Sequence, residues 1–581
     1  MYGVSTAKTK TYFKVIRMKN NYLDIMEKAL SAYTVDRIRE YIDETKRDGV
    51  TEHGFPRLGA NIGILMAHGR RHDLKDEFVE IINLCCNMFT SPIADNEWHY
   101  GVNFSIREVC CALMELEKTD VIEKELLENW KAQLSSINPW NVYSHIVSEK
   151  LPKPANWAYF GAVSEQARGL LCGIDTVEFV ENQLPSQLSR LDENGMYRDG
   201  DFRGPHQPLL YDMMTRVLLG LSLYFGYNGK YAFEIEKMMD ISDDLTLKMQ
   251  SVTGELPFGG RSNQFLFNET VIASYYELRA TILNKKGETQ KAAIFKAAAK
   301  KATETALFLL NREPMSHVKN RFDPDLMLGC EHYAYFNKYM ITVASNAYLA
   351  YLVADDSIKA GVATTDVGGY VAQTGEDFHK VFINKGGYFL EIECNADTHY
   401  DANGLGRVHK QGCDSCVCLS VPMPQKEPHY NLEFPNPHPL SMCGFKATEN
   451  GLINSAQNGV NHVLVSKAEQ EQQITAVFDC DLNGEALFSI KYTVSDQGVD
   501  IKFDGADGIL LPVFLFDGKN ETEMTETKGQ FVVKYNGSFC KYTFSGKVEK
   551  YGKFFNRNGR YCAYKLNTDQ LHIEIGDINE L

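Results

Sequence analysis

No apolar run in this 581-residue chain reaches the ~20 residues that a bilayer-spanning helix needs. Lys and Arg are scattered through Met1 to Asn20 without the hydrophobic block of a secretory signal. Met18 is a candidate natural start, which makes residues 1–20 a flexible extension, and a cytoplasmic location is expected. Basic charge is in deficit, with 60 Lys and Arg against 76 Asp and Glu and a net charge of -16. That balance excludes the basic stripe of a nucleic-acid binder, although a local Arg or His pocket still suits an anion. No Gly-Lys-Ser/Thr phosphate loop is present. Cys413-Asp414-Ser415-Cys416, with Cys418 and His409 near it, has no second CxxC, so neither a metal nor another cofactor is expected. The 14 cysteines include the adjacent pairs Cys85-Cys86 and Cys110-Cys111 on helical patterns, which suits buried free thiols in a reducing compartment.

What is present divides the chain in two. From about Asn20 to Asp355, apolar residues recur at three- and four-residue spacing in segments such as Tyr22–Lys46, Leu74–Phe89, Phe160–Leu171, Leu209–Phe225 and Thr289–Leu310. Roughly twelve helices result, and Gly, Pro, Asn and Asp clusters separate them. With no short repeat to stack as a solenoid, closure into an (α/α)6-type toroid over residues 21–355 buries the apolar faces best. After Asp356 the period changes to two, β-branched and aromatic residues rise, and Asn-Gly, Asp-Gly and Lys-Gly turns recur. Residues 356–581 therefore read as an antiparallel β-sandwich, making the chain multidomain, α then β.

Chemistry-bearing residues gather where helix-to-helix turns are expected, and such loops are more often binding surface than scaffold. Asn156-Trp157 opens a helix after two prolines, offering an amide and a stacking platform, and Trp98 has the same look on an earlier turn. Tyr197-Arg198-Asp199-Gly200 runs on through His206, between Pro205 and Pro208, to Tyr211-Asp212. A Tyr at a helix start near a His and an Arg is a candidate acid or base. Gly259-Gly260-Arg261-Ser262-Asn263-Gln264 sets a guanidinium fork, matched to a carboxylate, behind two glycines. Glu255 and Glu269 flank it as candidate hydrolytic carboxylates, with Asp199 and Asp212 as others. His332 and Tyr335 precede the last helix; His399, Arg407 and His409 lie on the first strands of the second domain, where they face the toroid if that domain caps it. Each has a structural alternative: a cap, a buried ring or an ion pair.

A helical toroid followed by a β-sandwich, with Asn156 at a helix start and Tyr211 about fifty-five residues later, resembles the heparinase II/III-like and oligoalginate lyases. The phrases around Asn156, Tyr197 to Asp212 and Arg261 are also similar to the uncharacterised DUF2264 group, linked to glycan degradation, and to a neighbouring toroid family of β-glucuronidases. The resemblance implies Asn156 as neutraliser of a uronate, Tyr211 as acid or base and His399 or His409 as the second-domain histidine. It departs at Trp157, where the lyases usually carry His, so the base passes to His206 or a second Tyr. The lyase reading uses no cofactor. The alternatives are a glucuronidase-type hydrolase with two carboxylates and a non-catalytic glycan-binding protein. An acidic oligo- or polysaccharide is the expected partner, with neither nucleic acid nor membrane, and an acidic globular chain is compatible with a homodimer.

Overall fold

The computed structural model describes residues 18–91, 100–147, 155–200, 206–449 and 451–581. Trp98 lies outside the described residues, as does the extension up to residue 17. Met18 already belongs to the first helix, Met18–Leu30, so the helical part begins before residue 21.

Six inner helices close a ring by packing side by side: Gly54–Ala67, Tyr100–Leu116, Ala155–Cys172, Leu209–Tyr224, Phe267–Lys285 and Phe336–Val353, the last returning against the first. Six outer helices back them: Met18–Leu30, Lys75–Thr90, Lys124–Ser135, Val177–Leu188, Ala232–Met249 and Thr289–Leu310. The chain is thus an (α/α)6 toroid followed by antiparallel sheets. Position in the ring decides the pattern. Phe267–Lys285 is buried on nearly every side, because an inner helix has neighbours all round. The helical segment Tyr22–Lys46 spans two helices: Thr34 divides it by accepting the Arg37 N–H as the N-cap of Val35–Asp48.

The second half is the antiparallel β-sandwich domain, and its strands fall into three sheets. Strands Tyr370–Gln373, Lys380–Lys385, Tyr388–Glu393 and Gly404–Lys410 form a four-stranded sheet next to the toroid. An eight-stranded sheet and a five-stranded sheet complete the domain. Because strand side chains alternate, the four-stranded sheet serves two cores. Val381, Ile383, Leu390 and Ile392 pack into the β-domain core, while Phe382 and Phe389 pack with Met196, Leu209, Met249 and Val252 of the toroid. Both faces of this sheet are covered, and its toroid-facing side sets these rings beside the buried charges Lys380, Glu391 and Arg407.

Candidate active site

The inner helices share a direction, so the residues at their N-terminal ends meet at one mouth of the ring. Asn156 and Tyr211 sit in the first turns of their helices, and His53 is the N-cap of Gly54–Ala67. Arg261 and Tyr333 precede the fifth and sixth inner helices. Helix N-termini carry partial positive charge, which favours an anionic ligand at this end over the other.

Four side chains are joined directly. The Tyr211 hydroxyl lies 3.3 Å from Ser262 Oγ, which lies 2.9 Å from the Tyr333 hydroxyl. Arg261 Nε donates to that same Tyr333 hydroxyl at 3.0 Å, with the guanidinium 4.8 Å from the ring centroid. The rest of the exposed Arg261 fork makes no hydrogen bond among the described residues. Burial pushes the Tyr211 phenol well above its ordinary value, reinforced by Tyr333 and opposed by Arg261. Burial also raises Tyr333. Both phenols therefore hold their protons at neutral pH.

The loop carrying Arg261 is fixed from below. Gly259, Gly260 and Ser262 all have positive φ, and Gly260 donates its N–H to Asp401 Oδ2 of the β domain at 2.7 Å. The Ser262 N–H goes to Glu331 Oε1 at 2.7 Å. Glu331 is held in turn by Arg557, a buried β-domain residue whose guanidinium also reaches the Asn263 and Gly329 carbonyls. Across the mouth, the Asn156 N–H donates to Asp199 Oδ1 at 3.0 Å. The Asn156 Oδ1 is buried with no partner among the described residues. Trp157 is half-buried, edge-on to Phe104 at 5.3 Å.

On the β-domain side, His399 Nδ1 lies 3.0 Å from Asp397 Oδ1, and its ring stacks on His429 at 4.3 Å. An Nδ1–H held by the carboxylate leaves Nε2 as an acceptor. His399 is two residues from Asp401, whose bond to Gly260 pins this turn beside Arg261. His206 lies on the same seam, at positive φ, with its ring 5.2 Å from that of His379. His332 and Tyr335 are exposed on the rim, and Tyr333 between them turns inward instead.

Several expected site residues are committed elsewhere. Arg407 is fully buried, donating to the Ser420 and Leu256 carbonyls and pairing with Glu391. His409 faces the toroid but is closed off, its Nδ1 2.7 Å from Ser251 Oγ and its Nε2 2.8 Å from Ser420 Oγ. Asp212 is consumed by Arg216 and the Tyr197 N–H. The Tyr197 hydroxyl is buried against Gln187, and Arg198 ties the toroid to Asp377 of the β domain. Glu255 and Glu269 share Lys319, each at 2.8 Å. Asn263 and Gln264 are not so committed: they are buried, with amide atoms unpartnered among the described residues. Cys413, Cys416 and Cys418 are not gathered with His409, and no cluster of His, Cys, Asp or Glu suited to a metal occurs among the described residues. No described helix is long and apolar enough to cross a membrane.

The buried histidines set an acid limit on stability. Burial, with Arg407 adding to it, pushes His409 down to about 3, and burial pushes His317 down to about 4. Unfolded imidazoles titrate near ~6.5, so below that pH the unfolded chain takes protons that the fold refuses. Stability is then full above pH ~6.5 and falls on acidification by about 1.4 kcal/mol per pH unit for each histidine. Urea midpoints at stepped pH check this, and His409→Gln flattens the slope; an unchanged slope in that variant contradicts it.

No family model matches the chain, and no curated protein matches its sequence. Among solved structures it is similar to a heparinase III at 8% identity, covering 98% of this chain and 87% of the other with a TM-score of 0.49. It is also similar to the heparan sulfate lyase HepC from Pedobacter heparinus at 11% identity, covering 88% and 89%, with a TM-score of 0.31. A glycosyl hydrolase family 88 protein from Bacteroides vulgatus aligns at 11% identity over 58% of this chain and 99% of its own, with a TM-score of 0.35. None of these superpositions is close, and the architecture rests on the chain's own helices and strands.

Proposed function

We propose that this protein is a lyase that cleaves a uronate-bearing glycan by β-elimination. The observation that carries the reading is the exposed Arg261 fork set against two protonated phenols, Tyr211 and Tyr333, bridged by Ser262. A planar guanidinium suits the uronate carboxylate, and Asn156 supplies a further polar contact. Holding that carboxylate withdraws charge from C5 and lowers the cost of losing its proton. His399, oriented by Asp397, takes the C5 proton. Tyr211 gives its phenolic proton to the glycosidic oxygen as the C4–O bond breaks, and the C5–H electron pair becomes the C4–C5 double bond. Each acid–base group contributes about 10²–10⁴-fold.

A two-carboxylate hydrolase is less well served. Asp212, Glu255 and Glu269 are each bound to a buried cation. Asp199 alone favours that second reading, since burial raises its carboxyl beside Asn156. Ultraviolet absorbance with glucuronan, alginate, glycosaminoglycan and rhamnose-glucuronate fragments, with sugar release followed in parallel, separates the two. Growing absorbance from the double bond is the expected result. Sugar release without it moves the chemistry to Asp199, and silence on both channels overturns the enzyme reading for these substrates.

A further inference from the structure

The mouth has a second arm that neither the sequence patterns nor the elimination chemistry uses. His53 sits at the N-cap position of the first inner helix, and its ring lies 5.4 Å from Phe104 and 5.8 Å from Tyr339. Phe104 leads to Trp157 at 5.3 Å, and Tyr339 leads to Tyr333 at 6.1 Å. An aromatic belt therefore runs from Trp157 through His53 to the Tyr211 cluster, and His53 is the imidazole within it.

Its tautomer is forced. Arg57 NH1 lies 2.7 Å from His53 Nδ1, and a guanidinium only donates, so Nδ1 accepts and the ring proton sits on Nε2. Arg57 is itself fixed by Glu108 at 3.0 Å and Thr342 at 2.9 Å, and Ser345 holds the other oxygen of Glu108. The His53 Nε2 makes no hydrogen bond to a described residue, on a side chain that is 7% exposed. The charged groups facing this corner are Arg57 and Lys338, with Glu52 beside both. Burial and the two cations hold the imidazole well below its ordinary value.

We infer that His53 is a substrate-binding residue whose Nε2–H donates to an acceptor oxygen of the sugar unit next to the bond that is cleaved, with Arg57 as the positioning residue that fixes the tautomer. The inference rests on the elimination reading for the location of the sugar chain. A donor locked in this way recognises an oxygen and rejects an amine, and it keeps doing so as the pH falls.

The test uses His53→Phe, which keeps an aromatic ring in the belt, and His53→Gln, which restores an N–H. Calorimetric binding of a glucuronate tetrasaccharide is measured beside steady-state kinetics. His53→Phe is expected to raise Kd and KM about tenfold, the weight of one good hydrogen bond, with kcat nearly unchanged. His53→Gln is expected to recover most of that loss. Arg57→Leu frees Nδ1 and removes a neighbouring cation, so the imidazole protonates more easily and KM changes with pH more steeply than in the parent. Parent-like binding by His53→Phe overturns the inference; if Tyr211→Phe has meanwhile lost turnover, the elimination reading stands alone. A parent protein that neither binds nor cleaves the tetrasaccharide overturns both.

Discussion

Tyr211→Phe is expected to lower kcat by about 10²–10⁴-fold while leaving substrate affinity within a few-fold of the parent. The substitution removes one hydroxyl and keeps the ring, so packing at the start of the fourth inner helix survives. What disappears in the resting protein is a 3.3 Å contact to Ser262, a neutral bond worth about 0.5–1.5 kcal/mol. The kinetic loss is larger because the phenol is the proton donor to the leaving oxygen, and its burial keeps that proton in place until the C4–O bond breaks. Tyr333→Phe should behave differently. Its hydroxyl receives the Arg261 Nε–H, so losing it loosens the guanidinium and raises KM along with any effect on kcat. Product absorbance for rate and calorimetry for affinity separate the two variants. Turnover of Tyr211→Phe within a few-fold of the parent would remove Tyr211 from the chemistry and leave Asp199 as the strongest remaining acid.

The two-part architecture was legible because periodicity is local. A change from three- and four-residue spacing to alternation after Asp356 needs no tertiary knowledge, and neither does a Tyr or an Asn at a helix start. Asn156, Tyr211 and Arg261 could be singled out for that reason. Their partners could not. The Arg557 that steadies Glu331 is 226 residues away from it, on a turn whose Asn-Arg-Asn-Gly text reads as an ordinary hairpin. Asp401 meets Gly260 across 141 residues. The same blindness explains the residues that looked reactive and are not free. Arg407, His409, Glu255 and Glu269 have the right side chains next to a domain junction, but the junction is where the seam closes. A buried charge must find a partner, so a dense cluster of ionisable residues near a seam encodes packing as readily as catalysis. The three-sheet division escaped for a related reason: alternation marks strands, but not which sheet each one joins.

Lys319→Met tests that division between packing and catalysis. It is expected to destabilise the fold by about 3–5 kcal/mol, since it leaves Glu255 and Glu269 side by side, buried and without their shared cation. In the parent, burial pushes the Glu255 carboxyl up, but Lys319, with Arg407 behind it, outweighs burial and holds it below the usual carboxylate range. That contribution is present above the unfolded value near ~4.3 and is lost as pH falls below it. In Lys319→Met the sign reverses. Burial and the Glu255 charge already raise Glu269 in the parent; without Lys319, burial and mutual repulsion raise Glu255 as well, so the fold gains protons before the unfolded chain does, and the variant recovers stability as the pH falls towards 5. Unfolding free energies in urea at pH 7 and about pH 5 should therefore show a gap that narrows on acidification. A gap below about 1 kcal/mol, or one independent of pH, would mean the pair is solvated and unimportant to the fold. Glu255→Gln and Glu269→Gln complete the argument. As packing residues they should keep turnover in whatever fraction stays folded, whereas a hydrolytic acid–base pair would lose it in both variants without any loss of stability.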